Sequence, residues 1–133
     1  MAVLLDTSVA VYVRDSDLFA ARLEGLEARP LLSAVTRVEL ENGVYRDPAW
    51  APVRRANLDA MLRHMASLDF GETEILAYRA IVAELGYSRR RVIDRMIAAT
   101  AIANGLTLAT LNPADIRDVP GLAFEAWPNP AAS

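Results

Sequence analysis

Apolar residues come in two kinds of block along this chain. Residues 2–5 (AVLL), 31–33 (LLS), 68–70 (LDF) and 106–109 (LTLA) are short runs, and turn signals bound them. Runs of this length read as strands buried on both faces. The other blocks repeat at three- and four-residue spacing, the period of a helix face. A first helix is expected over about 7–13. A second runs from Ser16, as N-cap, to about Ala28, with Leu18, Phe19, Leu23 and Leu26 inward, and Pro30 breaks it. A third covers about 35–45 and ends before Asp47-Pro48. A fourth spans 50–65, with Val53, Leu58, Met61, Leu62 and Met65 inward and Arg54, Arg55 and Arg63 outward. Two more cover 72–85, closed by Gly86, and 92–104, closed by Asn104-Gly105. Residues 87–91 form a basic loop, 122–126 a last edge strand, and 128–133 (PNPAAS) a frayed tail.

Strands alternating with helices predict an α/β fold: a three-layer sandwich with a short central parallel β-sheet flanked by helices, as one domain over 1–133. Ligands of such sheets bind at the carboxyl ends of the strands. Asp6 directly follows the first strand, so it lies at that edge. Glu39 sits near the start of the helix that leaves the second strand there. The helix 92–104 feeds the strand 106–109 from the opposite edge, so it begins at the carboxyl edge with Asp94 in its first turn. Asn112 and Asp115 lie in the loop after that strand. The six residues 86–91 reach roughly 20 Å when extended, enough to carry the chain up.

Each acid alone has an ordinary explanation, and singly that explanation is the better one. Asp6 can cap a helix. Thr36-Arg37-Val38-Glu39 fits the capping-box pattern. Asp94 complements a helix dipole, and Asn112-Pro113-Ala114-Asp115 is a turn signal. Together they weigh differently: four clustered carboxylates repel one another, and a divalent cation relieves the repulsion. Oxygen donors suit Mg²⁺ or Mn²⁺ rather than zinc. His64, the one histidine, falls on a helix away from this edge. Glu41 is about 200° round its helix from Glu39 and should face away.

Composition narrows the classes. The chain has 133 residues, 53% of them hydrophobic, and a net charge of −3, which argues against a simple basic nucleic-acid binder. Without cysteine there is neither a disulfide nor a thiolate zinc site. No apolar run is long enough to span a membrane, and a soluble cytoplasmic protein is expected. All 14 basic residues are Arg. The absence of Lys argues against receiver domains and dehalogenase-type phosphotransferases. The phosphate-binding G-x-x-x-x-G-K and dinucleotide G-x-G-x-x-G patterns are missing.

The segments LLDTSV, SAVTRVELENGV, VIDRMIAATAIANGLTLATLNPADI and RDVPGL resemble the PIN-domain ribonucleases. Within these they are most similar to VapC-type toxins of type II toxin–antitoxin modules. The resemblance covers nearly the whole chain. The ordered set D, E-L-x-x-G, D-x-x-I-A-A-x-A and T-x-N-x-x-D carries it. It implies an acidic cluster of Asp6, Glu39, Asp94 and Asp115, with Ser8, Thr110 and Asn112 as polar neighbours. Ile116 and Leu111 differ from the pattern, which usually has an aromatic and often an Arg there. The implied activity is that of a Mg²⁺- or Mn²⁺-dependent endoribonuclease, as a homodimer with a VapB-type antitoxin. Asp6 and Asp94 are the expected direct ligands, Glu39 and Asp115 direct or through water. Arg89, Arg90, Arg91 and Arg95 are candidates for tracking the RNA backbone. The alternative is a non-catalytic PIN-like module that binds RNA or a protein.

Overall fold

The computed structural model describes residues 2–128. Nearly all of the expected tail lies outside them. The elements are β1 (Ala2–Leu5), α1 (Thr7–Asp15), α2 (Asp17–Glu24), β2 (Arg29–Ser33), α3 (Ala34–Tyr45), α4 (Ala51–His64), β3 (Ala66–Leu68), α5 (Glu72–Leu85), α6 (Val92–Ala103), β4 (Thr107–Thr110) and β5 (Phe124–Ala126). Single 3-10 turns occupy Arg89–Arg91 and Pro113–Asp115. The strands form one sheet in the order β3-β2-β1-β4-β5, and every pairing is parallel.

Alternation along β1 divides the core between the two faces of the sheet. Leu4 is fully buried and aligns with Leu31 of β2 and Leu108 of β4. This row packs with Ile97 and Ala101 of α6. Val3 and Leu5 belong to the other face, with Val9 of α1, Phe19 of α2, and Leu58 and Met61 of α4. The chain steps from β1 outward to β2 and β3, then crosses back to β4 on the far side of β1. The direction of winding therefore changes between β1 and β4, where sheets of this kind open a crevice at their carboxyl ends.

Several expectations change in detail. The second helix stops at Glu24, and Pro30 lies inside β2, paired with Val3. It is tolerated there because β3 pairs with β2 only from Leu31 onward. Leu18 and Val53 are exposed (72% and 47%), not inward. The buried face of α2 is set by Phe19, whose ring stacks on Trp127 at 6.2 Å. Leu18 is about 100° away from it on the helix. Val53 is similarly about 140° from Leu58. The strand expected at 68–70 forms at Ala66–Leu68, and Phe70 instead packs beside α5 and α6. The glycine of the E-L-x-x-G pattern has a packing role. A Cβ on Gly43 would lie 2.9 Å from Nη1 of the buried Arg14, whose guanidinium also pairs with Asp15 at 2.8 Å.

Candidate active site

Asp6 is the N-cap of α1: its Oδ1 accepts the N–H of Val9 at 3.0 Å. Its own N–H donates to the Ala109 carbonyl of β4 at 3.0 Å, so the end of β1 is fixed against the strand across the crevice. The Ser8 hydroxyl donates to Asp6 Oδ1 and accepts the N–H of Leu111 at 3.1 Å. One serine thus ties the first acid to the loop leaving β4. Burial raises the pKa of the Asp6 carboxyl, while the hydroxyls of Ser8 and Thr110 and the N–H groups of Val9 and Ser8 hold it back.

Asp94 stands in the first turn of α6 and is half-buried. Burial raises its pKa. The charge of Asp115 raises it further, Arg91 offsets part of the rise, and Asp6 and Glu39 add to it. Asp6, Glu39 and Asp115 are therefore all within electrostatic reach of Asp94. Gly86, at φ +82°, ends α5 in a conformation that a side chain would strain. Its carbonyl accepts Nη1 of Arg95 at 2.8 Å, which anchors the start of α6.

Glu39 reaches this edge without making a capping box. The N-cap of α3 is Ser33, whose Oγ accepts the Thr36 N–H at 3.0 Å. Glu39 Oε1 instead accepts the Thr7 hydroxyl from α1. Asp115 is exposed, and Arg91 Nη1 grips both its Oδ1 (3.0 Å) and its backbone carbonyl (2.9 Å). The Asn112 N–H donates to Thr110 Oγ1 at 3.0 Å. Among the described residues, no three acid, His or Cys side chains form a ready-made metal-ligand group. Each carboxylate except Asp94 is turned onto a local donor.

The four arginines separate. Arg95 is buried (7%) and committed to Gly86, so it is not available to a polyanion. Arg91 holds Asp115, while Arg89 and Arg90 are exposed. Leu111 and Ile116, the two departures from the sequence pattern, are both buried and serve packing. Glu41 faces Arg55, which keeps its carboxyl below the usual range, and His64 is exposed at the end of α4. Sequence reading missed Thr7. Its hydroxyl beside Asp6 was the available signal, but only the packing of α1 against α3 reveals its partner.

A parallel sheet with four acids at the β1/β4 crevice defines the class, and the chain belongs to the PIN domain family, which it matches over residues 3–122. Two relatives are similar along nearly their whole length. Ribonuclease VapC1 of Rickettsia felis is 29% identical, with 92% of this chain and 93% of that protein aligned. Ribonuclease VapC2 of the same organism is 28% identical over 96% and 98%. Among solved structures, VapBC2 from Rickettsia felis, bound to a DNA fragment from their promoter, matches with a TM-score of 0.85 and 26% identity, over 96% of this chain and 100% of that one. DNA-bound VapBC from Salmonella typhimurium shares the fold, with a TM-score of 0.84 at 22% identity over 96% and 99%.

Proposed function

We propose that this protein is a Mg²⁺- or Mn²⁺-dependent endoribonuclease, the toxin of a type II toxin–antitoxin pair. Its partners in this reading are RNA, a VapB-type antitoxin and a second copy of itself, in the cytoplasm. The observation that carries the proposal is that Asp6, Glu39 and Asp115 lie near enough to Asp94 at the carboxyl edge for their charges to raise its pKa. The ribonuclease relatives and the VapBC complexes support the RNA and antitoxin assignments.

The donor set fits a hard divalent cation: four carboxylates, of which Asp94 carries a repulsion from the other three that such an ion relieves. Asp6 and Asp94 are assigned as direct ligands, Glu39 and Asp115 as direct or water-linked. When bound, the ion supplies positive charge for the phosphoryl oxygens and makes water more acidic. Ser8 orients Asp6, and Thr110 braces both Asp6 and the turn at Asn112. Arg91 holds Asp115 beside α6. Arg89 and Arg90 attract the RNA backbone near the site. Purified protein should cleave RNA with Mg²⁺ or Mn²⁺, stop with EDTA, and lose cleavage as Asp94→Asn; an active Asp94→Asn protein would refute the assignment.

One observation favours a non-catalytic module: the acids are bonded to local donors rather than gathered into a ligand group. Mn²⁺ titration separates the two readings. Stabilisation by the ion that vanishes in Asp94→Asn supports the nuclease, and indifference supports the binding module.

A further inference from the structure

Three hydroxyls stand in line behind Glu39. Ser33 Oγ lies 3.1 Å from Thr36 Oγ1, which lies 3.2 Å from Thr7 Oγ1, and Thr7 in turn contacts Glu39 Oε1. Ser33 and Thr36 are buried at 1% and 0% exposure. Counting protons fixes the direction of the chain. Each hydroxyl has one proton to donate, and a carboxylate only accepts. Thr7 must give its proton to Glu39. The hydrogen between the threonines therefore comes from Thr36, and the hydrogen between Thr36 and Ser33 comes from Ser33. Ser33 Oγ receives the N–H of Thr36 at 3.0 Å, which roots the chain in the first turn of α3. All four bonds point toward the carboxylate, and buried bonds in series strengthen one another.

We propose that Ser33, Thr36 and Thr7 form a one-way hydroxyl relay that holds Glu39 by Oε1 and reserves Oε2 for the metal. Among the described residues Oε2 accepts no hydrogen bond, in keeping with that division. Thr7 is then a positioning residue. It carries information from the β2–α3 junction to the acid that the helix places near the crevice. The inference rests on Glu39 being a ligand, as proposed above. An ordinary capping role ends at Ser33 and Thr36 and has no need of Thr7.

The test is calorimetric titration of Mn²⁺ into the full chain, with the metal-free Tm measured alongside. Thr7→Val should weaken Mn²⁺ binding by about 10- to 100-fold, the usual effect of losing a partner that orients a ligand. Its metal-free Tm should fall by only a few degrees, because the buried Thr36 hydroxyl loses its acceptor while the fold is kept. Thr7→Ser, which keeps the hydroxyl, should restore affinity. If Thr7→Val binds normally while Glu39→Gln does not, the relay is wrong and the ligand assignment stands. If Glu39→Gln also binds normally, both fail. Should Thr7→Val not fold, Thr36→Val decides: weakened binding supports the relay, and unchanged binding overturns it.

Discussion

Asp6 and Asp94 hold their protons more tightly than free aspartate does, and this links the site to stability. In the unfolded chain both ionise near pH 4. In the folded protein they ionise at higher pH, so above about pH 4 the folded state binds more protons than the unfolded one. Their contribution to stability therefore falls as pH rises through the raised values. Asp94→Asn removes part of this cost. Its metal-free Tm at pH 7 should exceed that of the unaltered protein, and the gap should close toward pH 4. The same substitution should lower RNA cleavage by more than about 100-fold, beyond the loss of a supporting partner. The arginines divide in the opposite sense. Arg95→Ala removes a buried side chain and its charge-assisted bond to the Gly86 carbonyl and should cost about 1.5–3 kcal/mol in urea unfolding. Arg89→Ala and Arg90→Ala should leave stability alone, weaken RNA binding, and each lower the salt slope of binding by about 0.7.

At the scale of elements, the most readable segments were those whose boundary is set locally. Gly86 ends α5, Asn104-Gly105 ends α6, and β1 stops where Asp6 caps the next helix. Gly86 also aims α6, and hence Asp94. Gly86→Ala should cost about 1–3 kcal/mol because of its positive φ, which thermal unfolding would show. Elements whose position depends on neighbours were read less well. The place of β3 is fixed by its pairing with β2 from Leu31, not by apolar residues of its own. The burial of Phe19 over Leu18 follows from Trp127, more than a hundred residues away in the chain. The capping-box pattern at Thr36–Glu39 failed for a similar reason. Ser33 already occupied the cap, and a hydroxyl from another helix took the glutamate.

For the whole molecule, the direction of a parallel sheet did most of the work of locating the acids. Once β1 and β4 run the same way, Asp6 and Asp115 must emerge at one edge, and that was legible from the order of elements. Ser8, two residues from Asp6, was legible as its neighbour, but Thr7 on Glu39 and Arg91 on Asp115 act across contacts that no spacing encodes. Metal should act on the whole fold as well as the site: at 100 times its Kd, Mn²⁺ adds about 2.7 kcal/mol to stability. Leu4→Ala, at the centre of the sheet, should cost about 2–5 kcal/mol while leaving the Mn²⁺ Kd of the folded fraction unchanged. The pairing of β4 against β1 also has a consequence for synthesis. Asp6 leaves the ribosome well before Asp115, on the order of ten seconds earlier at ordinary translation rates. Until Asp115 and β4 have emerged, a nascent chain cannot bring the four acids to one edge, so the crevice is assembled late in synthesis.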